Sequence, residues 1–147
     1  MERNSAEDLS LIAEARAAIA DRLITPWWYH PILGLLLAGF VLAFGLGGAA
    51  VKIGGVVLLV VGSAALARAY RRLTGFWVSG FEAGPAGRWL GALGWLTALA
   101  TVAALGIGGL TDLLWPVWCL AMAQFVGTIV LCRRFDIALR AYLRAGV

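Results

Sequence analysis

The sequence is poor in charge and in the side chains that enzymes and metal sites use. Of its 147 residues only 14% are charged, and it contains one histidine, one lysine and two cysteines. Apolar residues make up 62% and the mean hydropathy is +0.89, whereas a soluble domain is about 45–50% apolar and roughly 25% charged. A chain of this length cannot bury so much apolar surface in one water-soluble core. These scarcities predict an integral membrane protein.

Neither cysteine nor histidine occurs in a pattern that holds a metal or a cofactor. Cys119 and Cys132 lie thirteen residues apart on one predicted helix, which separates them by about 20 Å and excludes a disulfide. Both are interpreted as small buried hydrophobic residues. His30 is the single histidine and has no acidic pair nearby in the sequence, so we expect no metal site and no cofactor.

Four apolar stretches are each close to the roughly 20 residues that cross a bilayer. They predict an all-α membrane protein with four transmembrane helices arranged as two tandem hairpins. The predicted spans, within a bundle of residues 26–131, are 32–48, 53–70, 89–107 and 113–131. The first break is expected at Gly45, Gly47, Gly48 and Lys52, and the second at Gly106, Gly108, Gly109 and Asp112.

Amphipathic segments flank the bundle on both sides. Residues 1–25 carry apolar residues at helical spacing with acidic residues mostly off that stripe, and Pro26 ends the pattern. Residues 132–147 continue the fourth span as a basic helix. We predict that both helices lie on the membrane or dock a partner, or alternatively that they pack against each other.

Positive charge is distributed very unevenly about the predicted spans. Eleven of the twelve cations fall on one side of a four-span arrangement, and Lys52 alone falls on the other. Cytoplasmic loops carry an excess of Lys and Arg. We therefore expect a multi-pass protein of the inner (plasma) membrane with both termini in the cytoplasm. Because the cations flank apolar segments, we expect no nucleic acid partner.

An internal repeat is indicated by two glycine-rich segments. VLAFGLGG at 41–48 matches VAALGIGG at 102–109 in five of eight positions. The two segments lie 61 residues apart. Their similarity at this spacing predicts a duplicated hairpin, with a pseudo-two-fold axis along the membrane normal.

The interior of the predicted spans contains no ionisable residue at mid-bilayer. Ion-coupled transporters usually place such groups there despite the energetic cost, so a coupled pump and hydrolytic chemistry inside the membrane are disfavoured. Gln124 is the most polar side chain of the interior. An interhelical hydrogen bond is the favoured interpretation of this amide, and ligand contact is the alternative.

Candidate ligand or lipid contacts come from the aromatic segment PWWYHP, from the middle loop, residues 71–88, and from Gln124 of the fourth span. No Walker lysine follows the glycines of this loop, so a phosphate-cradling loop is not expected; interfacial anchoring by its aromatic residues is the alternative. The candidates are Tyr29, His30, Arg71, Arg72, Trp77, Glu82, Arg88 and Gln124. Candidate partner-docking residues on the basic tail are Arg133, Arg134, Arg140 and Arg144.

With PWWYHP ahead of the first span and RRFDIALRAYLR after the last, the sequence resembles a group of small actinobacterial four-helix integral membrane proteins. The Arg-over-Lys bias fits that resemblance. It implies a four-helix membrane fold and carries no catalytic motif.

Three functions remain open at this point. The first is a non-enzymatic scaffold or regulatory subunit that acts through its cytoplasmic helices on a membrane or cytoplasmic partner. The second is a transporter or channel for an apolar or lipid-like solute, built as a homodimer, with a cavity lined by Trp77, Trp95, Trp115 or Gln124. The third is an enzyme that modifies a membrane lipid.

Overall fold

The computed structural model describes Leu11 and residues 25–74, 84–111 and 113–145. Four long helices account for most of these residues: α1 (Tyr29–Leu46), α2 (Ala49–Thr74), α3 (Gly87–Leu110) and α4 (Trp115–Ala145). A short 3₁₀ turn, Gly84–Ala86, precedes α3. All four helices are long and apolar enough to cross a membrane by length and composition. The prediction of an all-α fold with four such helices is confirmed, while the predicted helix of residues 1–25 falls almost wholly outside the described residues.

Interhelical contacts define the direction of each helix. The ring of Tyr29 at the start of α1 lies 5.2 Å from that of Tyr70 near the end of α2. His30 contacts Asp136 of α4, and the end of α1 meets the end of α3 at Gly45 and Gly108. Helix α1 therefore runs antiparallel to α2 and α4 and parallel to α3. A duplicated pair of hairpins stays a prediction.

Helix α1 is the centre of the bundle, since it packs extensively against α2, α3 and α4. Among the described residues, the extensive contacts of α2 with other helices are with α1 alone. Most apolar side chains of α2 are consequently exposed on the surface of the chain, including Val57, Leu58, Val60 and Val61. In a bilayer such a surface faces lipid or another membrane helix.

The end of the bundle near Gly45 and Gly108 is packed with small and branched side chains. Val41 of α1, Ala100 and Ala104 of α3 and Val117 of α4 form one buried cluster. Val41, Ala104 and Val117 have no exposed surface. Small residues let the backbones of membrane helices approach closely, so this cluster leaves no passage between these three helices.

The predicted breaks are partly wrong, because most of their residues are helical. Gly47 and Gly48 do separate α1 from α2, but Lys52 lies in the first turn of α2, where its N–H donates to the Gly48 carbonyl at 3.0 Å. In the second half α3 continues through Gly106, Gly108 and Gly109 to Leu110. A Cβ at Gly108 would collide with the carbonyl oxygen of Gly45. Gly108 therefore allows the backbones of α1 and α3 to approach each other and does not form a turn.

The fourth helix is longer than a bilayer needs. Its 31 residues span about 46 Å, against about 30 Å of hydrocarbon. Unless α4 is strongly tilted, its last turns reach beyond the hydrocarbon layer at the arginine-rich end.

Replacing Gly108 by Ala is expected to destabilise the bundle, because the new methyl group overlaps the Gly45 backbone. The expected loss is about 1–3 kcal/mol of unfolding free energy, the usual cost of overpacking. Gly109→Ala is the matched control, since a Cβ there meets no atom within 4 Å of the described neighbouring elements. Unfolding of both variants in detergent checks the expectation, and equal stability of the two would contradict it.

Candidate functional site

A cavity of about 190 Å³ lies at the end of the bundle where α1 and α3 begin and α2 and α4 end. This is also the end at which the arginines of the described helices are concentrated. All four helices contribute to the lining, which combines polar and aromatic side chains with leucines. The side chains on which the site depends are Tyr29, His30, Tyr70, Trp89, Asp136 and Arg140.

His30 and Asp136 form the polar centre of the cavity wall. His30 Nε2 lies 3.3 Å from Asp136 Oδ2, and His30 is only 8% exposed. A buried polar group is costly unless it is paired, so this contact holds α1 against α4. The sequence places no acidic pair near His30, and the fold brings it one acidic neighbour, Asp136 of α4.

Aromatic rings join α1 to α2 beside this pair. The rings of Tyr29 and Tyr70 are inclined by 59°, and Tyr29 meets the His30 ring edge-on at 5.8 Å between centroids. Aromatic pairs in such tilted arrangements contribute about 0.5–1.5 kcal/mol beyond their buried area. They fix Tyr70 in the wall although, among the described residues, the extensive contacts of α2 are with α1.

Trp89 lines the cavity and carries an unpaired donor. Its Nε1–H is buried and has no hydrogen-bond partner among the described residues. The guanidinium carbon of Arg88 lies over the Trp89 ring, 5.4 Å from the ring centre. A buried donor without an acceptor costs about 1–3 kcal/mol.

Arg140 lines the cavity rather than the outer face of α4. Its side chain is half-buried and forms no ion pair with the described residues. Arg133 and Arg134, by contrast, are exposed. The four arginines predicted to dock a partner therefore do not form one surface, because Arg140 lines the cavity and Arg133 and Arg134 lie on the outer face. The side chain of Arg144 is not among those that the structure describes.

Apolar side chains form the remaining wall. Leu93 and Cys132 are buried together with Leu37 in one cluster, and Leu139 packs with Phe135 and Ala86 in another. Cys132 is buried as expected, but Cys119 is exposed on the surface of the chain. The interpretation of both cysteines as buried is wrong for Cys119, which lies on a face of α4 that has no described neighbour.

Gln124 lies away from the cavity, at the interface of α3 and α4. It is 0% exposed, and its Nε2–H donates to Thr97 Oγ1 at 2.8 Å. The Thr97 hydroxyl in turn donates to the Leu93 carbonyl at 2.9 Å. This geometry favours interhelical hydrogen bonding over ligand contact for Gln124.

The remaining sequence candidates are scattered. Arg71 and Arg72 are exposed at the end of α2, and the exposed Arg88 lies over the ring of Trp89. Trp77 and Glu82 lie outside the described residues. Trp95 and Trp115 are 71% and 66% exposed on the single chain and do not line this cavity, while the tryptophan-lined cavity of a dimer stays a prediction.

Sequence reasoning missed Tyr70, Trp89 and Asp136 as site residues. One signal was present: Cys132, Asp136 and Arg140 follow each other at four-residue spacing on one face of a helix. Asp136 is also the lone acid of the basic segment 132–147. Tyr70 and Trp89 carried no comparable signal, because only the tertiary fold places them beside His30.

Compared with family models, curated proteins and solved structures, the chain matches none of them. Among the described residues no group of three or more His, Cys, Asp or Glu side chains has the arrangement of a metal site. The cavity instead combines leucines with a few convergent hydrogen-bonding groups, which is the usual composition of a small-molecule site.

A double-mutant cycle on His30→Leu and Asp136→Leu is expected to give a coupling of about 0.5–3 kcal/mol, because the two side chains are in contact. Unfolding of the single and double variants in detergent measures it. His30→Leu combined with Arg134→Leu is the control, since Arg134 is exposed and should not couple. Additive effects of the first pair would show that the contact does not stabilise the bundle.

Proposed function

We propose that this chain is a non-enzymatic, multi-pass membrane protein that binds a lipid-like amphiphile at its arginine-rich end. The observation that carries the proposal is the cavity itself, in which leucines surround the His30–Asp136 pair and the unpaired Trp89 N–H. Such a mixture suits a ligand with one polar and one apolar part.

The size of the cavity limits what it holds. An engineered apolar cavity of about 150 Å³ accommodates benzene, and this cavity has about 190 Å³. A head group or a single ring fits in that volume, whereas a whole membrane lipid does not. The apolar remainder of the ligand must therefore lie outside the cavity.

The proposal is binding rather than passage through the bundle. Below the cavity, Val41, Ala104 and Val117 have no exposed surface, and a Cβ at Gly45 would lie 3.1 Å from that of Ala104. A solute that crossed the membrane between α1, α3 and α4 would have to separate this cluster. The closed packing therefore favours a site that is loaded and emptied from one end.

Charge supports placing this end at the cytoplasmic face of the plasma membrane. Arg68, Arg71 and Arg72 lie near the end of α2, and Arg133 and Arg134 on the late part of α4. Lys52 lies at the opposite end, in the first turn of α2. The positive-inside rule then puts the cavity at the inner leaflet.

Filling the cavity is expected to remove bound amphiphile. Cys132→Phe adds a ring to the cavity wall, while Cys119→Phe adds the same ring to an exposed position of the same helix. After purification in mild detergent, native mass spectrometry should detect the co-purified amphiphile on the wild type and on Cys119→Phe but not on Cys132→Phe. Melting curves establish that each variant folds, since overpacking costs about 1–3 kcal/mol. Equal retention by both folded variants would contradict the proposal.

A scaffolding or regulatory role is the second candidate, and the length of α4 favours it. The helix continues to Ala145 with Arg133 and Arg134 exposed. A basic helix beside a membrane attracts anionic lipid or an acidic protein surface. In this role, the exposed arginines of α4 bind a cytoplasmic partner outside the cavity.

Neutralising this charge is expected to remove the partner. With Arg133→Gln and Arg134→Gln combined, crosslinks from α4 to soluble proteins in intact cells should disappear, because the attraction is electrostatic. The matched control is Lys52→Gln, which removes a cation at the other end. Crosslinking followed by mass spectrometry measures the outcome, and crosslinks that survive the double substitution would exclude this role for the two arginines.

A further inference from the structure

An apolar groove runs along the side of the bundle between α1 and α3. On α3 its lining recurs at helical spacing from Leu90 to Val102, which corresponds to about 18 Å along the helix. On α1 it is lined by Leu33, Leu37 and Phe40. Leu37 and Leu93 are buried and form its floor, whereas Leu90 and Val102 are exposed at its edges.

The groove adjoins the cavity, and the two share part of their lining. Leu33, Leu90 and Leu93 line both depressions. A molecule whose polar part occupies the cavity can therefore extend its apolar part past these leucines into the groove without crossing a helix.

The threonine hydroxyl groups that line the groove already donate hydrogen bonds within α3. The hydroxyl of Thr97 donates to the Leu93 carbonyl, and that of Thr101 donates to the Thr97 carbonyl at 2.7 Å. Threonines bonded to their own helix present mainly methyl groups to a neighbour. The groove thus suits a hydrocarbon chain, and open space at Gly94 adds to its width, since a Cβ there meets no atom within 4 Å of the described neighbouring elements.

The polar end of the site is richer in donors than in acceptors. Trp89 offers a buried N–H without a partner, and Arg140 forms no ion pair with the described residues. The carboxylate of Asp136 is in contact with His30. An anionic head group with oxygen acceptors complements this arrangement, because hydrogen bonds between charged groups and such oxygens are the strong ones.

We propose that the cavity and the groove are the head and tail sites of one single-chain amphiphile with a carboxylate head group. The head lies between Trp89 and Arg140, and the chain lies along Leu37, Gly94 and Thr97. This assignment rests on the proposed function and adds to it the chemical class and the direction of the ligand.

The test uses the full chain in phosphatidylcholine nanodiscs and hexadecanoic acid with a diazirine near the end of its chain. Photolabelling should concentrate on groove residues of α1 and α3 rather than spread over α2, whose apolar face is also exposed. Gly94→Leu should abolish labelling of the groove because its side chain occupies the path of the hydrocarbon chain. Gly54→Leu is the matched control, since Gly54 is also exposed and open but lies on α2.

The head-group assignment has its own pair of variants. Trp89→Phe removes the donor and is expected to weaken binding of hexadecanoate roughly tenfold or more. Trp95→Phe, on the exposed face of the same helix, should leave it unchanged. Hexadecyltrimethylammonium carries the same chain with a cationic head and no acceptor, and it should bind more weakly than hexadecanoate to the wild type.

Each outcome decides a different part of the assignment. Labelling spread evenly over α2, or unchanged in Gly94→Leu, would overturn the groove as the tail site. Equal affinity for the two head groups, or an unchanged affinity in Trp89→Phe, would overturn the carboxylate. Either result leaves the proposed function standing if Cys132→Phe still abolishes retention of the co-purified amphiphile, whereas retention by that variant overturns the binding proposal itself.

Discussion

The close approach of α1 and α3 at Gly45 and Gly108 constrains the rest of the bundle. No side chain separates the two backbones there, and Val41, Ala104 and Val117 pack around the contact without exposed surface. Helices that cross at small residues diverge away from the crossing. In this chain the cavity lies at the arginine-rich end, away from that contact, and the groove extends from it between α1 and α3.

Polar side chains then determine how the open end is held together. The contact of His30 with Asp136 joins α1 to α4, and the ring contact of Tyr29 with Tyr70 joins α1 to α2. Gln124 and Thr97 connect α3 to α4 below the cavity. In a membrane such contacts are worth about 0.6 kcal/mol on average, so their main effect here is to fix which helices meet. Among the described residues the buried N–H of Trp89 and the buried Oε1 of Gln124 have no hydrogen-bond partner, and of these two residues Trp89 lines the cavity.

Hydropathy was enough to predict four helices, because each apolar stretch is near the length of a bilayer crossing. Glycine was less informative: Gly47 ends a helix, whereas Gly108 lies inside one. The difference depends on whether another backbone approaches, and the sequence alone does not show that. Tyr29 and His30 could be selected as site residues from their aromatic segment, but their partners Tyr70, Trp89 and Asp136 come from three other helices. Only the packing directions of those helices bring them together.

Native mass spectrometry of the wild-type chain, released intact from its own membrane, tests the central claim most directly. The account predicts a population of single chains that each carry one additional amphiphile, whose mass fits one hydrocarbon chain with a carboxylate head group. It also predicts that this population survives activation that strips annular lipid, because the head group lies in a cavity beside Trp89 and Arg140 rather than on the outer surface. A chain that carries no bound molecule under conditions in which it stays folded would contradict the account.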